Sequence, residues 1–454
     1  MRIFGLQEGF KHPVDMYLCP FLRYHMVNMN LSQRRGLALL FLLVFFLVAP
    51  LTLAYTDGYR LSFSPLKITR TGTIYISGNP KTVNIFLNGE KQKPQNLPLN
   101  IRNIIPGEYQ LKITEKNYQD WEKNIQVNVG ESTVISNVQL IKQDPFTTVQ
   151  TGLGKDAVFS PNGSLLAWHT EKKIFIADGK KLVTSQDIEN LSRIVWGNDS
   201  LVVIALDNKN QTLARLTLDT KIETIKSIGK DLRFISANSK IILAQNEDDL
   251  YLFQNNNWQA DQKKDFLDTE LSSNYFLTLQ KNNPSKFTLD WHKFDGNLIT
   301  KKNLPNLTNP GLFSENGAIW VSDVLKKISL WVEENLLDYK LKQIQIAFTH
   351  AQAIPGTNQW LTYDENTAWL VQHDGSYSIV SRWIEPVIKP MHLGFNTFAL
   401  ISENGITVRD LQYNQIYQLK IDQLKSAAFP DQAGIINLLQ KDGDLLQWVK
   451  AVLY

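Results

Sequence analysis

Few side chains in this 454-residue chain invite chemistry, and they are scattered. Histidine is the first to consider, because its ring titrates near neutrality and ligates metals. His169, His292, His350, His373 and His392 stand in separate stretches of the chain. The chain contains no HExxH pair for zinc, no GxSxG elbow, no phosphate-cradling P-loop and no CxxC. Asn246-Glu247-Asp248-Asp249 offers oxygen ligands but lacks the glycine-turned twelve-residue loop of a calcium site, so it reads as a polar turn. Cys19 is the one cysteine. A lipid-attachment cysteine follows its hydrophobic run, whereas Cys19 precedes the longest one, so it reads as a free thiol. No catalytic residue, metal ligand or cofactor group emerges, and the side chains that bind a partner stay unassigned.

The rest of the composition narrows the class. Net charge is +3 with both signs interspersed, so no basic stripe proposes nucleic acid as a partner. All residues after Cys19 lack cysteine, which excludes a disulfide framework and leaves core packing to hold the fold. The length predicts two or three domains.

What positions everything else is Gly36 to Tyr55, GLALLFLLVFFLVAPLTLAY, a run without one charged residue. A helix of about 20 residues at ~1.5 Å each crosses the ~30 Å hydrocarbon core of a bilayer. A buried core helix would carry a polar stripe, and this run has none. Cleavage after Thr52-Leu53-Ala54 is the competing reading, but the run exceeds the usual signal-peptide core and its leader would be long. Arg34 and Arg35 abut the run on one side, and Asp57 tempers the positive charge on the other. The reading is a tail over 1–33, a signal anchor over 34–56 that meets the lipid bilayer through residues 36–55, and a linker over 57–70. The N-terminus is placed in the cytoplasm and the rest outside it. YRLSFSPLKI in the linker suggests one extended segment.

Residues 71–142 change to a period of two. Ile74 and Ile76 alternate with small or polar neighbours, then Val83, Ile85 and Leu87 do the same before Asn88-Gly89, a hairpin turn pair. Pro106-Gly107 punctuates two more extended runs, and Gly130-Glu131 turns between the last two. Five or six short strands without helical period predict a small β-sandwich. GTIYISGNP, VNIFLNG, PLNIRNIIPGEYQLKI, NYQDWEKNIQVNVGE and the closing VQL together resemble a PEGA domain, a small bacterial surface β-sandwich. Ile105 to Tyr109 and Tyr118 to Trp121 are the most specific parts; Pro80-Lys81-Thr82-Val83 replaces the family's eponymous tetrapeptide. The resemblance covers about 15% of the chain and implies an extracytoplasmic interaction module, not an enzyme.

Beyond Asp144-Pro145 a repeat begins. FSPNGSLLAW (Phe159 to Trp168) is echoed at Ile194, Leu232, Leu271, Leu312, Ala353, His392 and Ala427, about 39 residues apart. Each unit couples an apolar pair, a turn of Asn, Ser or Gly, and a hydrophobic strand. Several-stranded repeats of this period indicate a β-propeller over 146–454, because one blade cannot cover its own two faces and a ring of blades can. Eight starts predict eight blades, with seven as the alternative. FSPNGSLLAW resembles the blade motif of TolB-type propellers. Trp168, Trp320 and Trp360 fall at equivalent strand positions and are expected to pack between blades. Phe146 to Gln150 is expected to pair with the C-terminal LLQWVKAVLY and close the ring.

The fold class read from the sequence is therefore an all-β ectodomain, sandwich plus propeller, behind one transmembrane helix. The corresponding function is a membrane-anchored extracytoplasmic binding or scaffold protein for an envelope polymer or protein partner. A propeller-based glycan hydrolase or lyase, with carboxylates converging at the central channel, is the alternative.

Overall fold

The structure is a computed structural model. It describes residues 31–454 except 64–65, 94–95, 155, 171, 188–190, 208–211, 219–221, 227–232, 247–248, 256, 262–265, 273, 284–285, 306, 316–317, 334–339, 355–356, 385, 395, 429 and 431–433. The tail expected over 1–33, with Cys19, thus lies almost wholly outside the described residues, as do Glu247 and Asp248.

The apolar run folds as one helix, α1 (Leu31–Thr56), which takes Arg34 and Arg35 into its first turns and carries Pro50 inside it. None of its residues is buried, although Leu39 to Val48 are almost all large and apolar. A core helix would be covered by the fold, so that alternative fails here. An apolar surface on every side, left uncovered by the molecule, suits a lipid environment.

The segment after α1 differs from the single extended run expected of it. It is a hairpin, β1 (Tyr59–Phe63) paired with β2 (Leu66–Arg70), with Tyr59 opposite Arg70. Folding back pairs backbone groups that one lone extended strand would leave to solvent. The Thr71 amide donates to the Gly58 carbonyl at 2.9 Å and ties the helix exit to the chain entering the sandwich.

Residues 72–139 form two facing sheets. One sets β3 (Gly72–Asn79) between β6 (Leu99–Ile104) and β9 (Ser132–Gln139), the latter parallel to it. The other orders β5 (Glu90–Lys91), β4 (Asn84–Leu87), β7 (Gly107–Thr114) and β8 (Trp121–Val127). The predicted turn is present: Asn88 and Gly89 have φ of 49° and 82°, the paired left-handed conformations of a tight hairpin that twists with its strands. Ile74, Ile76, Ile85, Leu111, Ile113 and Trp121 are fully buried between the sheets, so every second residue faces the core, as the period required.

From residue 146 onward the described residues form eight four-stranded antiparallel sheets. In chain order these are sheets A (158–187), B (193–226), C (233–261), D (266–303), E (310–344), F (350–382) and G (387–420), then sheet H, where three strands of 424–452 are completed by Phe146–Leu153. Each motif found in the sequence is the end of a first strand, its turn and the second strand. First strands abut between sheets A and B, from C through F, and from G through H back to A, while the second strand of F meets the first of G, so the first strands line the inside of a ring. Phe146 pairs with Ala451 and Thr148 with Val449, the closure that FTTVQ predicts. Across the seam, Asn437 Nδ2 donates to the Gly163 carbonyl of sheet A at 2.9 Å, and Trp448 packs with Leu166, Trp168 and Ala177. Gly179, at φ +80°, lies against that indole so closely that a Cβ would stand 2.9 Å from the ring.

Sandwich and propeller share one apolar core. Leu140 and Ile141, in the connection, are fully buried among residues of both. The Lys142 amide donates to Leu453, while Gln119 and Gln143 amides bond Ile141 and Asn117. Trp121 meets Tyr413 of sheet G edge-on at 5.4 Å, the Tyr413 hydroxyl donates to the Ser136 carbonyl, and Gln415 Nε2 donates to Glu122 O.

Candidate functional site

The five histidines stay apart, and each packs locally. His292 is buried in sheet D, stacked on Phe276 at 4.9 Å with Nε2 3.2 Å from Thr278 Oγ1. His350 stacks on Tyr363, His392 meets Phe398 edge-on, and His169 sits 3.3 Å from Asp156 Oδ2. Among the described residues no three of His, Cys, Asp or Glu gather as metal ligands.

The turn carboxylates and amides are mostly bound to backbone. Asp178 Oδ1 accepts from the Lys180 and Lys181 amides, and Asp364 Oδ1 from those of Asn366 and Thr367. Asn246 Oδ1 accepts from the Asp249 amide at 2.7 Å, and the two residues between them lie outside the described residues. Asp323, buried in sheet E, shows the cost and the remedy together. Burial pushes its carboxyl up, but four amides, led by Thr308 and Asn309, outweigh that and hold it below the usual range. Asp410 resolves the other way: burial raises it despite the Tyr413 and Gln412 amides.

On the inner strands the described carboxylate side chains are Asp268 and Glu270. Asp268 accepts from the Leu312 amide of sheet E at 3.0 Å and from its neighbour Thr269, so it staples two sheets.

The sequence assigns no binding groups, and the structure places a candidate cleft on sheet F. A cleft of about 520 Å³ is lined by Asn358, Gln359, Gln372, His373, Asp374 and Ser376, drawn from two turns of that sheet. His373 borders it and stands edge-on to Trp331 of sheet E at 5.0 Å, above the Trp331–Trp360 pair at 4.2 Å. Lys342 of sheet E donates to the His373 carbonyl, and Gln359 Nε2 donates to Gln372 Oε1 at 2.7 Å. The Ser376 hydroxyl and amide both donate to Asp374 and hold its carboxyl below its ordinary range. Amides, a carboxylate and an imidazole can hydrogen-bond a ligand rich in hydroxyl or amide groups. The QHDGS turn and the tryptophans beside it were the available signal, but the sequence does not show that this turn and the one at Asn358 open on a shared cleft.

The architecture is that of a β-sandwich and a β-propeller behind one N-terminal apolar helix. Residues 71–143 match the family model of the PEGA domain. No curated protein matches the chain. Among solved structures, a eukaryotic initiation factor is similar over 67% of this chain and 87% of its own, at 10% identity and TM-score 0.45. Kluyveromyces lactis Hsv2 is similar over 65% and 98%, at 12% identity and TM-score 0.40. Virginiamycin B lyase from Staphylococcus aureus is similar over 68% and 98%, at 11% and 0.37. Likenesses this distant say nothing of ligand or activity.

Proposed function

We propose that this protein is a membrane-anchored, extracytoplasmic binding and scaffold protein without catalytic activity. In this reading α1 stays in the bilayer as an uncleaved anchor with the N-terminus in the cytoplasm. The PEGA domain and the propeller then present surfaces to an envelope polymer or a protein partner. The observation that carries it is the continuous core between sandwich and propeller, fixed by Leu140, Ile141, Trp121 and Tyr413. Two interaction modules held in one orientation above a single helix form a bracket, which suits holding a partner at a set distance from the membrane. The cleft of sheet F is the contact surface we assign to that partner. Its test is a photo-crosslinking side chain at Asn358 in intact cells, with Lys180 on sheet A as the control position. Defined adducts from Asn358 but not Lys180 are expected; equal labelling at both, or none, would contradict the assignment.

A further inference from the structure

We infer that the foot of the PEGA domain binds the phosphate of an anionic phospholipid headgroup, in a cleft lined by Arg60, Arg70 and Arg102. The inference rests on α1 crossing the bilayer. The cleft, of about 430 Å³, opens where the helix ends, and its walls include Tyr55, Asp57, Gly58 and Glu131. Its depth is set by the helix. The uncharged run ends at Tyr55, so at ~1.5 Å per residue it fills the ~30 Å hydrocarbon core and leaves residues 55–60 among the headgroups.

Two of the three guanidinium groups are held in place. Arg60 lies over the Tyr55 ring at 3.8 Å, donates to the Tyr55 and Tyr59 carbonyls, and reaches Asn103 Oδ1 at 2.6 Å. Arg70 Nε donates to the Asp57 carbonyl at 3.1 Å. Gly130, at φ +69°, lets the chain close over Arg70: a Cβ there would stand 3.0 Å from its Nε. Arg102 stands exposed on β6. Against these three cations the cleft holds two carboxylates, Asp57 and Glu131, and Glu131 already accepts from Asn128 Nδ2 at 2.9 Å. A planar fork of donors fits phosphate oxygens, and arginine keeps its charge at any physiological pH.

The same end of the sandwich carries apolar tips. Ile105 and Val129 are 57% and 59% exposed on the turns after β6 and β8. The strand register sets them at one end with Gly72: Gly72 pairs with Ile104, Gly107 with Val127 and Thr73 with Ser132. Charge beside exposed apolar side chains, continuous with an apolar helix, is the composition of a surface that sits in a bilayer interface.

The test uses the full chain purified in detergent and native mass spectrometry. Phosphatidylglycerol, phosphatidylcholine and inorganic phosphate are titrated separately. Retention of phosphatidylglycerol over phosphatidylcholine is expected, weakened about fivefold by Arg102→Gln and further by Arg102→Glu. Arg382→Gln, on the propeller, is expected to change nothing. Equal retention of both lipids, or the same loss with Arg382→Gln, would overturn the proposal. Displacement of phosphatidylglycerol by inorganic phosphate, with no preference among lipids, would assign the cleft to a soluble anion and overturn it as well. Carbonate extraction of the wild-type membranes separates the two readings. A retained chain without lipid preference sinks this inference alone, whereas a released chain sinks the membrane reading and this inference with it.

Discussion

A single side chain shows how this all-β fold uses its polar groups. Asp323 is buried, yet stays ionised because backbone amides surround it. Replacing it with alanine leaves those donors buried and unpaired, so a loss of about 3 kcal/mol is expected. The loss depends on pH with a definite sign. A carboxyl held below its unfolded value contributes stability above that value and loses it as pH falls through the folded one. Denaturant titrations should therefore show the gap between wild type and Asp323→Ala widest near neutrality and closing in acid; a gap constant with pH would contradict the anchoring role. Such residues were half legible. Asp and Asn before small residues mark turns, as with the local Lys326 amide, but the leading donors to Asp323, Thr308 and Asn309, come from about 15 residues earlier, across the strand pair. The tryptophans were more legible: Trp320 touches Phe348 and Trp360 across sheets E and F, as their shared strand position implied.

At the scale of elements, two junctions decide whether the parts act together. The seam of the ring rests on Trp448, buried against Phe159 and donating to Asn437 Oδ1 at 3.1 Å. Trp448→Ala is expected to cost about 4 kcal/mol and to raise hydrogen exchange first in 146–153 and 435–452. Uniform exchange across all sheets would argue that the seam is no weaker than the rest. The second junction joins the modules. Tyr413→Ala removes the hydroxyl bond to Ser136 and the ring against Trp121, so proteolysis between residues 139 and 146 should accelerate while each module resists. Unchanged cleavage there would show that Leu140 and Ile141 suffice. This docking was invisible in the sequence, because Trp121 and Tyr413 lie far apart and each reads as an ordinary core aromatic. The strands themselves were legible, since period-two alternation and the turn pair Asn88-Gly89 are local. The hairpin of β1 and β2 was missed because nothing in YRLSFSPLKI marks its pairing beyond one Ser-Pro.

For the whole molecule, the order of parts was the most legible feature. An uncharged run, a sandwich and a repeat each announce themselves by composition and period. The cleft of sheet F and the arginine foot were not legible, because both assemble from turns that only the folded chain brings together. The central claim concerns where those surfaces stand: outside the cytoplasmic membrane, on an anchor that remains attached. Protease added to intact cells or spheroplasts, with the chain followed by size on one blot, tests it most directly. The expected result is digestion of the propeller from outside, with undigested chain full-length in the membrane fraction. Protection until lysis would place the propeller in the cytoplasm, and a soluble, shortened product would make α1 a cleaved signal sequence; either outcome contradicts the claim.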